Sequence, residues 1–200
     1  MRGRAWRLVL VVILGVGAIR CGPPPVLAPD GNAPKAAPRG YIALCTRDPS
    51  FCDGKGPRSV ALSAKRWDEL LRVNDGVNSK LRAQDEITPS DAVYNWQVPT
   101  GALREADPAD CKEYVLTKKA KLIALGWPKS ALRIGIVTYS SHTPDIRHAV
   151  LLADTTDGIF VLDNRSTKIM RWSEVPYMWI SVQVSTDPDR WEGVSRIAQR

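Results

Sequence analysis

The chain has 200 residues, enough for one folded domain with extensions. At 44% hydrophobic and 24% charged, it has the balance of an ordinary globular protein. The net charge of +7 does not mark a nucleic-acid binder, because three of the arginines behind it, Arg2, Arg4 and Arg7, flank an apolar N-terminal run, and no arginine-rich stripe or aromatic RNA motif occurs.

That run, Leu8 to Ile19, is twelve residues long. With its basic start it reads as a secretory signal and is too short for a typical spanning helix. Val16-Gly17-Ala18 offers small residues for cleavage after Ala18. Cys21 follows the run and is a candidate lipid-attachment site, although Arg20 stands where a small residue is usual. Residues 1–21 are therefore expected to be a signal peptide or N-terminal anchor, and any membrane contact is expected through them alone. The protein is expected to be exported, periplasmic or secreted, or else anchored or lipidated and facing the periplasm. Residues 22–39 contain Pro23, Pro24, Pro25, Pro29, Pro34 and Pro38 and are expected to form an extended linker. The folded domain is expected over 40–200.

Cys45 and Cys52 are separated by six residues. In an oxidising compartment this pair reads as a disulfide staple, since no further Cys or His lies nearby to complete a metal site. Ser63 to Gln84 reads as a helix, with Ser63 as N-cap and Trp67, Leu70, Leu71, Asn74, Val77 and Leu81 at three- and four-residue steps. Residues 88–107 read as loop, broken by Pro89, Pro99 and Gly101. A second helix is expected from Asp110 to about Leu125, capped by Asp110 and stopped by Gly126 and Pro128. Leu116, Ala120 and Ile123 form its apolar stripe, and Lys118, Lys119 and Lys121 are expected to face water. Cys111 falls in its first turn, where the helix dipole favours a thiolate. Position alone also fits a buried cysteine with no chemistry.

Three strands are expected next, over 131–139, 147–153 and 159–164. The register of the last two decides whether His148 and Asp163 meet. A two-residue Asp157-Gly158 turn puts Asp163 opposite Leu152, roughly 13 Å along the strand from His148. A four-residue loop, Asp154 to Asp157, pairs His148 with Asp163, Val150 with Val161 and Leu152 with Ile159. The longer loop is expected, with those six side chains on one face and the apolar four packed on the helix that bears Cys111. One or two short strands broken at Pro176 are expected over Trp172 to Val184, and the tail through Trp191 is expected to wrap the domain. The scattered tryptophans Trp67, Trp96, Trp127, Trp172, Trp179 and Trp191 read as core and edge packing.

A cysteine at a helix start, followed by a histidine and an aspartate on neighbouring strands, is the order of a thiol-nucleophile triad. Cys111 would attack, His148 would carry the proton, and Asp163 would hold the imidazole tautomer. His142, in Ser141-His142-Thr143-Pro144, reads as a surface residue. The Cys111 backbone amide is an oxyanion-hole candidate, joined by Trp96 or Gln97 from the preceding loop.

The segments Leu71 to Asn78, Trp96-Gln97-Val98-Pro99, Asp110-Cys111, Ala124 to Pro128, His148-Ala149-Val150-Leu151 and Val161-Leu162-Asp163-Asn164, with Cys45, Cys52, Trp172 and Tyr177, together resemble the bacterial transglutaminase-like cysteine peptidases. The resemblance covers nearly all of the expected domain. It implies an α+β, papain/transglutaminase-like fold in which the helix bearing the nucleophilic cysteine packs on an antiparallel β-sheet. It also implies Cys111, His148 and Asp163 as the triad. Some members of the family, periplasmic proteases that clip a surface adhesin, resemble calcium-dependent enzymes whose ligands include the acids flanking the cysteine. Here Asp110 and Glu113 remain as calcium candidates, but Lys112 occupies one acidic position, and an ammonium cannot ligate calcium. No cofactor is expected.

The leading expectation is thus an exported thiol hydrolase that cleaves a peptide or isopeptide amide of a cell-envelope protein through a Cys111 acyl-enzyme. The alternatives are acyl transfer to an amine, and a catalytically silent periplasmic binding module.

Overall fold

The computed structural model of the chain describes residues 29–84, 96–98, 107–139, 147–185 and 187–194. The signal segment, Cys21 and His142 lie outside the described residues. The elements are β1 (Pro29–Lys35), α1 (Arg39–Arg47), α2 (Pro49–Cys52), α3 (Ala64–Lys80), β2 (Leu81–Ala83), β3 (Asp107–Ala109), α4 (Cys111–Ala124), a 3-10 turn (Lys129–Ala131), β4 (Leu132–Thr138), β5 (Arg147–Thr155), β6 (Gly158–Leu162), β7 (Met170–Arg171), β8 (Met178–Val184) and β9 (Asp187–Val194). Seven strands form one antiparallel sheet in the order β1-β9-β8-β4-β5-β6-β7, and β2 pairs with β3 in a small parallel ladder.

The sheet is covered on both faces, so its central strands read as continuous apolar runs rather than alternating ones. On one face, Leu70, Val73 and Val77 of α3 and Leu116 and Leu122 of α4 pack with Ile134, Ile136, Leu151, Ala153 and Leu162. On the other, Val137, Val150, Leu152, Ile159 and Val161 pack with Trp172, Val175 and Trp179. Val150, Leu152, Ile159 and Val161 therefore lie on the face away from α4, contrary to the sequence expectation. The helix takes the alternate set, because both sets are apolar and sequence alone does not say which one it covers.

The hairpin register also differs from both sequence alternatives. The observed ladder pairs Leu151 with Leu162, Leu152 with Val161, and Thr155 with Gly158, leaving Thr156-Asp157 as the turn. Thr155 Oγ1 donates to the Gly158 carbonyl at 2.7 Å and accepts the Asp157 N–H at 3.2 Å, and Gly158 takes φ 128°. Residues 154–156 are also tied to Val60, through Val60 N–H to the Asp154 carbonyl and Thr156 N–H to the Val60 carbonyl. Together these bonds hold residues 154–158 in the two-residue turn. The ladder, continued one step, sets Asp163 level with Val150, two residues from His148. A shift of two keeps every side chain on its face, so His148 and Asp163 become diagonal neighbours.

Three further expectations are corrected. The Pro-rich stretch is not a tether throughout. Pro29–Lys35 forms β1, an edge strand on β9, where missing proline N–H groups are tolerated. The helix that starts at Ser63 ends at Lys80, and Leu81–Ala83 turns into β2. The tail through Trp191 is β9, an internal strand of the sheet. The tryptophans pack as expected: Trp96, Trp127, Trp172, Trp179 and Trp191 are buried, and Trp67 meets Phe160 edge-on at 5.1 Å.

Candidate active site

Helix α4 delivers Cys111. Asp110 caps it by accepting the Lys112 N–H at 2.9 Å, and Glu113 Oε2 accepts the Asp110 N–H at 2.7 Å, which completes a capping box. Two carboxylates thereby fix the helix start, and with it the direction of the Cys111 side chain. Cys111 is half-buried and lies outside the disulfide, which joins Cys45 and Cys52 between α1 and α2.

His148, the second residue of β5, is 2% exposed, and Asp163, just past β6, is 4% exposed. His148 Nε2 lies 2.7 Å from Asp163 Oδ1. The other oxygen, Oδ2, accepts the Tyr177 hydroxyl, and the Arg165 N–H donates to Oδ1 at 3.1 Å. Burial alone would raise the Asp163 carboxyl. The bonds from His148, Tyr177 and the Arg165 amide, together with the His148 charge, outweigh it and hold the group below the ordinary range. The His148 ring stacks on Tyr139 at 5.8 Å and meets Tyr177 edge-on at 5.8 Å. Burial pushes the Tyr139 hydroxyl up to about 12, although Arg165 lies over its ring at 4.6 Å, so it stays protonated at neutral pH.

The loop after β6 is braced from α3 and α4. Asn78 donates to the Asp163 backbone carbonyl at 2.8 Å. Asn74 Nδ2 reaches the carbonyls of Ser166 and Thr167 at 3.4 and 3.5 Å, and Lys118 Nζ donates to Asn74 Oδ1 at 2.8 Å. Lys118 and Lys119 were expected in water, yet both are buried, at 0% and 2% exposure. Lys118 lies 5.8 Å from the Tyr114 ring centroid, and Lys119 lies 5.4 Å from that of Phe51. Of the three lysines, Lys121 alone faces solvent. The helix is enclosed by α3, the sheet and Phe51, and the sequence stripe shows only the sheet contact.

Cys111 and His148 line one cleft of about 390 Å³. Trp96, Ile136 and Ile180 supply apolar walls, Arg39 and Arg147 line it as well, and Ala36 to Pro38 enter from the N-terminal side. Trp96 is mainly a core residue, 5.7 Å edge-on from Tyr41, and its carbonyl accepts Arg47 at 2.6 Å. Gln97 is exposed. Tyr177, Tyr139 and Asn78 support the His–Asp pair but carry no sequence signal for that role, since it exists only in the folded contact.

Residues 32–199 match the family of bacterial transglutaminase-like cysteine proteinases, BTLCP. The chain belongs to this family. Its α+β arrangement, a cysteine-bearing helix on an antiparallel sheet, is the transglutaminase-like fold that the sequence resemblance implied. Among solved structures it is similar to Legionella pneumophila LapG in its calcium-bound form, at 23% identity and TM-score 0.49, over 58% of this chain and 64% of that one. A second LapG structure aligns at 25% identity and TM-score 0.46, over 58% and 62% of the two chains. An EGTA-treated LapG aligns at 23% and 0.49, over 65% and 68%. The matched part thus spans less than two thirds of the first two LapG chains. No curated protein matches the chain.

The acidic residues beside Cys111 do not fit a calcium ion as they are arranged here. Calcium takes six to eight oxygens. Asp110 Oδ1 is taken by the Lys112 amide, Oδ2 pairs with Lys112 Nζ at 2.5 Å, and Glu113 Oε2 is taken by the Asp110 amide. An ammonium stands where a cation would sit against Asp110. Among the described residues, no three His, Cys, Asp or Glu side chains converge as a metal site.

Proposed function

We propose that the protein is an exported cysteine peptidase that cleaves a peptide or isopeptide amide in a cell-envelope protein, with Cys111, His148 and Asp163 as its triad. The observation that carries this reading is the buried bond from Asp163 to His148, the residue that lines one cleft with Cys111. Family membership supports the thiol chemistry. The Cys45–Cys52 disulfide and the signal-like N-terminus support export.

In this mechanism His148 Nε2 stays on Asp163, and Nδ1 exchanges the proton with the thiol. The Cys111 thiolate attacks the amide carbon, and the charge on the carbonyl oxygen is met by the Cys111 N–H in the first turn of the helix. His148 then protonates the leaving amine as the C–N bond breaks, which leaves a thioester. Water, deprotonated by His148, attacks the thioester carbon, releases the acid product and restores the thiol. Tyr177 and Asn78 hold Asp163 so that the imidazole keeps one tautomer through both steps.

The test is Cys111→Ala, which is expected to abolish turnover and labelling by a thiol-directed acyl probe. Turnover by the variant at the wild-type rate overturns the assignment. Offering a primary amine and looking for the amide adduct separates hydrolysis from transfer.

A further inference from the structure

We infer that the cleft selects an acidic segment of its substrate, with Arg39 and Arg147 forming a carboxylate subsite beside Cys111. This rests on the cleft being the peptidase site proposed above. Among the described residues, the side chains lining it include three cations, Arg39, Lys112 and Arg147, and no Asp or Glu. Lys112 is already matched by Asp110 at 2.5 Å. Neither Arg39 nor Arg147 has an ion-pair partner among the described residues, and both are exposed at the cleft.

The two arginines are far apart in the sequence. Arg39 starts α1 directly after the Ala36–Pro38 wall, and Arg147 is the first residue of β5, next to His148. A substrate in this cleft therefore meets guanidinium groups beside an apolar floor of Ile136, Ala149 and Ile180. A guanidinium offers a planar fork of donors that suits a carboxylate bidentately, whereas a neutral amide accepts one bond and brings no opposite charge. The ligand class that satisfies both features is an extended peptide in which small apolar residues alternate with Asp or Glu.

The test reads occupancy of the cleft through the thiol. The full chain is alkylated with iodoacetamide, and modification of Cys111 is followed by mass spectrometry of the peptide that contains it. A capped peptide of alternating Ala and Glu is compared with its isosteric Ala and Gln counterpart as a protectant. The acidic peptide is expected to reach half-protection at a concentration about tenfold lower, the discrimination a charge-assisted pair gives. The gap is expected to close in Arg39→Gln/Arg147→Gln and to survive in part in Arg39→Lys/Arg147→Lys, which keeps the charge. Equal protection by the two peptides, no protection by either, or an unchanged gap in the Gln variant overturns the inference. Alkylation needs a thiol but no turnover. An inert Cys111 would sink the peptidase reading and leave this test readable, and failure here leaves the peptidase reading standing.

Discussion

Replacing Lys118 by Met tests whether a buried ammonium in the brace behind Asp163 sets the pH dependence of stability. Loss of hydration on burial pushes the Lys118 amine down from 10.5 to about 7, and Asp163 and Asp75 oppose this only in part. Burial lowers Lys119 to about 8, with the nearby Lys129 charge adding to it. In the unfolded chain both return to the ordinary value of 10.5. A base whose folded pKa is depressed lets the unfolded state hold the extra proton, so stability rises with pH between the folded and unfolded values. Each lysine should contribute about 1.4 kcal/mol per pH unit where its folded form is neutral and its unfolded form charged. For Lys118, integration from about 7 to 10.5 gives on the order of 4–5 kcal/mol. Urea unfolding followed by circular dichroism from about pH 8 to 9.5 stays below the titration of unfolded tyrosine, near 10. Over this range the wild type should gain roughly 2–3 kcal/mol per pH unit from the two lysines together, and Lys118→Met about half of that. The lost bond to Asn74 costs about 1 kcal/mol at every pH and does not change the slope. Identical slopes for the two proteins would refute the reasoning.

Three other outcomes follow from the geometry. Asp163→Ala removes the acceptor that orients His148 and is expected to lower kcat about 10²-fold or more with little change in KM; steady-state kinetics showing a loss of less than a few-fold would deny Asp163 that role. Reducing the Cys45–Cys52 disulfide is expected to cost about 2–3 kcal/mol, from the chain entropy of so short a loop, measured as a shift in urea midpoint with and without a phosphine reductant. Because the carboxylates of Asp110 and Glu113 are held by backbone amides and Lys112, added calcium is expected to change Tm by less than about 1 °C; a rise that a chelator reverses would show a site there after all.

The site was more legible in the sequence than the packing around it. Asp110 and Glu113 stand at capping positions ahead of an apolar stripe, and local hydrogen bonding alone then puts Cys111 in the first turn. His148 and Asp163 were recognisable as partners from their order and the period-2 face rule, which survives a register error of two. The register itself was not readable, because the bonds that select it come from Val60, distant in sequence. Lys118 and Lys119 misled for a similar reason: their burial depends on Asn74, Tyr114 and Phe51, and a lysine on a helix is a solvent-facing residue until such neighbours are known. Tyr177 follows a proline in a segment readable for its strand-like patterning and, with Trp172, for the family resemblance, neither of which points to Asp163. Its bond to Asp163 arises from tertiary contact and leaves no local trace.

The pairing of β1 with β9 carries a consequence for timing. The cleft wall of Ala36 to Arg39 hangs directly from β1, and β1 is held by residues of Trp191 to Val194. An emerging or translocating chain therefore carries its cysteine, histidine and aspartate well before it can close that wall. A complete cleft has to wait for the last strand of the sheet, which couples the assembly of the substrate site to completion of the fold.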